Sequence, residues 1–364
     1  MTWPPDPNAP PDPDIQAFFA AIREAGDDTT PRLVFADWLE ERGDPRAELV
    51  RLQVVNITAE EEDSDAWTAA FVASQNWDAF HVPVWFGRAC YAVLKDRLWL
   101  GAAHVRVFES GKVVLNSPGW AGFRKAILEG WVETFELHGW EESEFLRAES
   151  VGLFKMPSRL SLTGVGDPVL RCLANSTNAV VLNLGGGNCI VTDEGIAALS
   201  GLRRLRELGL YDIQPATGTG LRQFTGWNDL AELGLWACSH FEAAETFPWP
   251  EFPSLRRLSV TNCPRLTTDA GLAEIGKFNS LRSLQLPSMG LGTGFSDTGL
   301  GHLGRLTSLE ELDLWGNTQV TGAGVQHLYG LQSLRKLNLG RCSLRGADTR
   351  ALKKALPNCE IIRR

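Results

Sequence analysis

The sequence predicts an α/β protein: a solenoid of stacked strand–turn–helix units, with parallel strands on its concave face and helices on its convex face, led by a small helical module. Three observations predict it. The pattern L-x-x-L-x-L recurs from residue 179 onward, each copy leads into a helix-start signature, and the first 57 residues show helical spacing without that repeat. Self-similarity at a period of roughly 20 to 50 residues marks an array in which each unit buries its apolar face against its neighbours, because one unit alone has too little core.

Residues 1–13 hold six prolines and are expected to form a disordered arm, since such stretches stay extended and bury little. Three helices are expected next. Asp12-Pro13, Thr30-Pro31 and Asp44-Pro45 each set a capping residue before a proline, whose missing N–H costs nothing in a first turn. Ile15, Phe18, Phe19 and Ile22 repeat at i, i+3, i+4, i+7, which is one face of a helix. Gly26 and Gly43 are natural stops. The module spans 14–57. The acidic run Glu60–Asp65 reads as a solvated linker, and residues 58–130 as that linker followed by an aromatic-rich cap. Seven of the thirteen tryptophans fall between Trp67 and Trp140, and the first unit of a solenoid needs cover. A hairpin is expected at Val105–Leu115, turning at Ser110-Gly111.

The repeats fill 131–364. They read Leu205-Leu208-Leu210, Leu230-Leu233-Leu235, Leu255-Leu258-Val260, Leu281-Leu284-Leu286, Leu309-Leu312-Leu314 and Leu334-Leu337-Leu339, with a weaker copy at Ala179-Leu182-Leu184. Their middle leucines stand 25 to 28 residues apart. Degenerate copies lie at Val132-Phe135-Leu137 and Leu160-Leu162, and Cys359–Ile362 supplies a last strand. One continuous parallel sheet from about Val132 to Ile362 is expected. The second half of each copy shows in Thr192–Ile196, Thr268–Leu272, Ser296–Leu300 and Thr321–Val325. There a Ser or Thr serves as N-cap, an Asp complements the helix dipole, and a Gly, a poor helix former, is expected to let the helix pack close to the strand layer. Phe247-Pro248-Trp249-Pro250 replaces the helix of one copy, and Val169–Asn175 shortens another.

With Leu255–Leu286 reading LRRLSVTNCPRLTTDAGLAEIGKFNSLRSLQL, residues 130–362 resemble the leucine-rich-repeat family, closest to its cysteine-containing kind. The resemblance implies a horseshoe. It also implies a ladder of side chains serving backbone groups at the turn, formed by Cys238, Cys263, Cys342 and Asn317, each three residues past the last strand aliphatic. The stretch Asp27–Gln53, with PRLVFADWLEERGD and RAELVRLQ, resembles the bacterial repeat-companion domain over about 14–56. That module commonly precedes repeats and implies no catalytic activity.

A formal net charge of -9 opposes nucleic acid and anionic membrane as partners. No stretch offers the roughly 18 apolar residues of a membrane span, and the N-terminus lacks the basic and apolar regions of a signal peptide. Seven cysteines, an odd number, argue for a reducing compartment, expected to be the cytoplasm. No metal is expected: His81, His104, His138, His240, His302 and His327 have no ligand spacing, and the equivalent His302 and His327 read as surface residues repeated by duplication. Cys238, Cys263 and Cys342 are expected to be buried and reduced. Gly185–Asn188 lacks the Gly-Lys-Ser/Thr ending of a phosphate loop and reads as a turn. No catalytic residue and no cofactor is called for.

What remains is surface. Strand alternation puts Glu207, Glu232, Arg257 and Glu311 on the concave side, together with Tyr211, Trp236 and Trp315 after the last aliphatic, and Gly209, Gly234 and Asp313 between. Exposed aromatics with charged neighbours are the usual anchors of interfaces. The expected function is a non-catalytic protein–protein interaction scaffold, holding a protein partner at Tyr211, Trp236, Trp315, Glu207, Glu232, Arg257, Glu311 and Asp313. Two alternatives stand beside it. One is an adaptor joining two partners in the manner of F-box leucine-rich-repeat proteins. The other is an enzyme with its site in 66–130.

Overall fold

A computed structural model describes residues 9–10, 12–25, 28–58, 98–99, 104–108, 134–138, 159–174, 178–186, 189–243, 247, 249–288 and 294–363. The chain divides into two compact units, Met1–Ser161 and Leu162–Arg364. Most of the expected disordered arm, the expected linker, most of the expected cap, Gly26 and His81 lie outside the described residues.

In the first unit the three expected helices are α1 (Pro13–Ala25), α2 (Thr30–Glu40) and α3 (Arg46–Thr58). Asp12 caps α1, its Oδ1 accepting the Asp14 N–H at 2.9 Å. The cap of α2 differs from expectation. Thr30 is already helical, so the orphan N–H is its own, and Asp28 Oδ1 accepts it at 2.9 Å. Asp44 Oδ1 accepts the Arg46 N–H at 3.0 Å. The same carboxylate takes the Arg46 guanidinium, Nε to Oδ1 at 2.9 Å and Nη2 to Oδ2 at 2.6 Å. Ile15, Phe35, Leu39, Leu49 and Val50 of the module are buried as well. Phe35 stacks on Phe18 at 4.8 Å and meets the edge of Phe19 at 5.3 Å, so the i, i+3, i+4 face of α1 is indeed the packed one.

Among the described residues of this unit the strands β1 (Leu98–Trp99), β2 (His104–Phe108) and β3 (Thr134–His138) follow. β2 pairs antiparallel with β1 and parallel with β3. β1 pairs with His104 and Val105 only, and residues 109–115, the second half of the hairpin expected at Val105–Leu115, lie outside the described residues.

Strand β4 (Arg159–Leu162) holds the boundary and buries Leu160 and Leu162. The second unit continues with α4 (Asp167–Leu173), β5 (Val181–Gly185), β6 (Ile190–Val191), α5 (Asp193–Ala198), β7 (Glu207–Tyr211), β8 (Gln214–Pro215), β9 (Glu232–Trp236) and β10 (Arg257–Thr261). It ends with α6 (Asp269–Ile275), β11 (Ser283–Gln285), α7 (Asp297–Leu303), β12 (Glu311–Asp313), α8 (Gly322–Val325), β13 (Lys336–Asn338), α9 (Gly346–Ala355) and β14 (Glu360–Ile362). β5, β7, β9, β10, β11, β12, β13 and β14 form one parallel sheet in that order. The register is the one the leucines imply: Leu182 faces Leu208, then come Leu233, Leu258, Leu284, Leu312 and Leu337, with Ile361 last. These residues are buried except Ile361, and the unit is an α/β leucine-rich-repeat solenoid. α4 is not shortened; it starts at Asp167 and has seven residues, as α6 and α7 do. Between β9 and β10 no helix occurs among the described residues. Prolines cannot continue one, and Phe247 fills the space between Phe241 at 5.5 Å and Trp249 at 4.8 Å.

The helix-start signature ties successive copies together. Thr192, Thr268, Ser296 and Thr321 cap α5, α6, α7 and α8 with their hydroxyl oxygens. The acid of one copy then holds the cap of the next. Asp167 accepts the Thr192 N–H at 2.8 Å and hydroxyl at 2.6 Å. Asp269 accepts both from Ser296 at 2.6 Å. Asp297 accepts them from Thr321 at 2.8 and 2.5 Å. Asp193 takes Thr217 and the Gly220 N–H in the same way. Burial alone would raise the Asp193 carboxyl, but these bonds outweigh it and hold it below its ordinary value. The glycine has a different cause from the one expected. A Cβ at Gly195, Gly299 or Gly324 would overlap the carboxylate of Asp167, Asp269 or Asp297. It clears room for the acid of the preceding copy.

At the exits of β7, β9, β10, β12 and β13 the chain turns through a left-handed corner: Asp212, Ala237, Asn262 and Arg341 have φ of 51 to 61° and Gly316 has 81°. The residue after the corner points inward and serves a carbonyl of the preceding copy. Cys238 Sγ donates to Leu210 O at 3.5 Å, Cys263 to Leu235 O at 3.5 Å, Cys342 to Leu314 O at 3.3 Å, and Asn317 Nδ2 to Leu286 O at 2.8 Å. Cys238 and Cys263 are buried, but Cys342 is only half-buried, since a single strand, β14, follows it in the sheet. Burial pushes the Cys342 thiol up to about 11. The hydrogen bond to Cys238, with burial, holds the Cys263 thiol well above the ordinary range. Only the thiolate reacts. A thiol reagent at pH 8 is therefore expected to label Cys342 slowly, faster as the pH rises toward 11, and Cys263 only on unfolding; the hydrogen bond from Cys263 lowers the Cys238 thiol, so there burial is what keeps the reagent out until unfolding. Rapid native-state labelling of either buried cysteine, followed by peptide mapping, would contradict this.

Candidate functional site: a recess in the open strand face

β7 and β9 carry the same five-residue sentence, Glu-Leu-Gly-Leu-aromatic, in register: Glu207 faces Glu232, Gly209 faces Gly234 and Tyr211 faces Trp236. The leucines are buried beneath the sheet, while Glu207, Tyr211, Glu232 and Trp236 are on the open face. β10 adds Arg257 beside Glu232, with Ser259 and Thr261 beside Gly234 and Trp236. Together they line a recess of about 370 Å³.

Of the two glycines, Gly234 leaves its part of the floor open, with the Tyr211 hydroxyl 3.8 Å from its missing Cβ, and Gly209 is covered by Tyr211. A Cβ at Gly209 would collide with the Tyr211 ring and the Asn183 carboxamide. Its absence lets the tyrosine lie back across the sheet, its hydroxyl donating to Asn183 Oδ1 at 3.3 Å. Trp236 stands against it at 89°, ring centroids 6.1 Å apart, an edge-to-face pair. The tryptophan is 46% exposed; Tyr211, expected to be fully exposed, is half-buried because it lies back. Arg257 Nη1 donates to Glu232 Oε1. Burial, and then the Glu207 charge, raise the Tyr211 phenol.

The structure thus gathers Tyr211, Trp236, Glu207, Glu232 and Arg257 and leaves Glu311, Asp313 and Trp315 outside the recess. Trp315 is three strands from Trp236, about 14 Å at the usual strand spacing. Its neighbours are engaged within the chain. Glu311 accepts the Ser283 hydroxyl at 3.1 Å, Asp313 Oδ1 accepts the Trp315 N–H at 2.9 Å, and the Arg341 guanidinium lies 4.6 Å over the Trp315 ring. Asn183 was not singled out from sequence. The glycines were, but only as spacers; the twinned pentapeptide is the signal that marks them as a floor.

Ser259 and Thr261 hydroxyls lie 3.3 Å apart, and no histidine borders the recess. Its lining offers two aromatic rings, carboxylates and a guanidinium. Among the described residues no group of three or more His, Cys, Asp or Glu side chains could hold a metal, and no helix is long and apolar enough to cross a membrane. His302 is half-buried in the last turn of α7, and His327 is exposed.

Fold and recess define a repeat scaffold with a small built cavity on its strand face. No protein-family model matches the chain, and no curated protein matches it. Among solved structures, the internalin InlF of Listeria monocytogenes str. 4b F2365 is similar over 75% of this chain and 86% of its own, with 16% identity and a TM-score of 0.30. TLR13, solved as a complex with ssRNA13, is similar over 66% of this chain, with 15% identity and a TM-score of 0.37; the chain spans 39% of that TLR13 chain. The fold rests on the sheet register itself.

Proposed function

We propose that the chain is a non-catalytic scaffold that holds a protein partner on its strand face. Tyr211 and Trp236 are the anchors, with Glu207, Glu232 and Arg257 as the polar rim. Glu311, Asp313 and Trp315 form a second, separate contact point. One observation carries the reading: two adjacent strands repeat the same acid–glycine–aromatic set in register, so a recess open at Gly234 lies between an apolar wall and a charged one. Large aromatics set in a polar rim carry most of the energy of interfaces that have been dissected by truncation. We place the scaffold in the cytoplasm on its odd cysteine count, with the three N-terminal helices as a repeat-companion module.

A library of displayed peptides panned on the full chain tests the reading. Trp236→Ala is expected to cost selected binders about 2 kcal/mol or more, roughly thirtyfold, with little change in melting temperature because the side chain is exposed. Tyr211→Ala should cost both binding and some stability, since its ring is half-buried and bonded to Asn183. Binding that survives Trp236→Ala would move the site off this face.

The adaptor reading draws on a different observation. On α2, Leu33 and Val34 are 42% and 53% exposed, an apolar surface on the helical module that could hold a second partner. If so, Leu33→Ser with Val34→Ser leaves peptide binding at the recess intact.

A further inference from the structure

We propose that the recess beside Trp236 receives an arginine side chain from an extended segment of the partner. The proposal rests on the scaffold reading and deepens it.

The molecule contains its own template. β12 and the residues after it read Glu311-Leu312-Asp313-Leu314-Trp315, and β9 reads Glu232-Leu233-Gly234-Leu235-Trp236. The two tryptophans hold the same position in their copies. Over Trp315 lies the guanidinium of Arg341, the left-handed corner residue of the next copy. The corner residue of the copy after Trp236 is Asn262, also left-handed and uncharged. So the chain covers one tryptophan with a guanidinium of its own and supplies none from that corner to the other. Trp38 is covered likewise, by Arg42 at 3.9 Å. An indole face is the strongest of the aromatic cation sites, and a planar guanidinium stacks on it better than an ammonium.

The surroundings suit the same guest. The β7 to β14 strand positions that share this face carry five carboxylates, on Glu207, Glu232, Glu311, Asp313 and Glu360, against Arg257 and Lys336. Glu207 borders the recess, and its charge reaches the phenol of Tyr211. The tyrosine supplies a second ring at a right angle to the first. Beside Trp236 the floor at Gly234 is open, nothing lying nearer its missing Cβ than 3.8 Å, which leaves room for a side chain there. A nucleic acid would bring phosphates to this acidic face and be repelled.

The test uses the full chain and the peptides selected by display. Arginine is expected at a fixed place in the selected sequences. Remaking one with citrulline, which keeps the shape and removes the charge, is expected to weaken binding about tenfold or more; lysine should fall between. Added salt should weaken the arginine peptide more than the citrulline one. Asn262→Arg should place a guanidinium over Trp236 from within, as Arg341 does over Trp315, and weaken binding about tenfold with the melt unchanged. Peptides that need Trp236 but bind equally with citrulline would overturn the arginine proposal and leave the scaffold reading standing. Peptides indifferent to Trp236→Ala, or no selected peptides at all, would overturn both. Should Asn262→Arg fail to fold, the citrulline comparison decides alone.

Discussion

Arg46→Ala is expected to destabilise the helical module by about 3–5 kcal/mol, the usual cost of stranding one partner of a buried ion pair. Arg46 is 1% and Asp44 5% exposed. Their carboxylate and guanidinium meet fork to fork, and Asp44 also accepts the backbone N–H that opens α3. Removing the guanidinium leaves a charge in the core that water cannot reach. Removing both charges is a different experiment. Asp44→Asn with Arg46→Met keeps an acceptor for the helix cap and fills the volume, and should cost far less. Denaturation of the full chain followed by amide exchange in α2 and α3 separates this unit from the repeats. A loss below about 1 kcal/mol for Arg46→Ala would mean the pair is solvated and its burial is wrong.

The sequence made the sheet register legible because the leucine spacing is a direct record of it: residues that align in the text are Cα partners in the sheet. The recess was legible in part. Alternation placed Tyr211, Trp236, Glu207, Glu232 and Arg257 on one face, and in-register pairing brought them together. It could not show that Tyr211 lies back over Gly209, because that depends on a missing Cβ one turn of the pleat away. Trp315 read as a free anchor for a related reason: its cover, Arg341, sits 26 residues on, in the next copy. The same distance hid the role of Asp and Gly in the helix-start signature. Read along one copy, Asp looks like a dipole partner and Gly like a packing residue. Their real partners lie one copy away, where only a structure joins them.

That ladder of acids and glycines sets the second large effect. Gly324→Ala is expected to cost about 3 kcal/mol, and Asp297→Ala about 2–3 kcal/mol. The first forces a Cβ into the space of Asp297 Oδ1; the carboxylate must leave, and the Thr321 N–H and hydroxyl lose their acceptor. The second removes that acceptor directly. Both changes break the same two bonds, so the double variant should cost clearly less than the sum, with a coupling of about 1 kcal/mol or more. Gly330→Ala is the control, since nothing lies within 4 Å of its added Cβ. In a stacked array each copy is stabilised chiefly by its neighbours. The loss should therefore appear first as faster amide exchange in α7 and α8, ahead of global unfolding. Additive costs in the cycle would show that the glycine answers to something other than the carboxylate, and the contact between copies would have to be sought elsewhere.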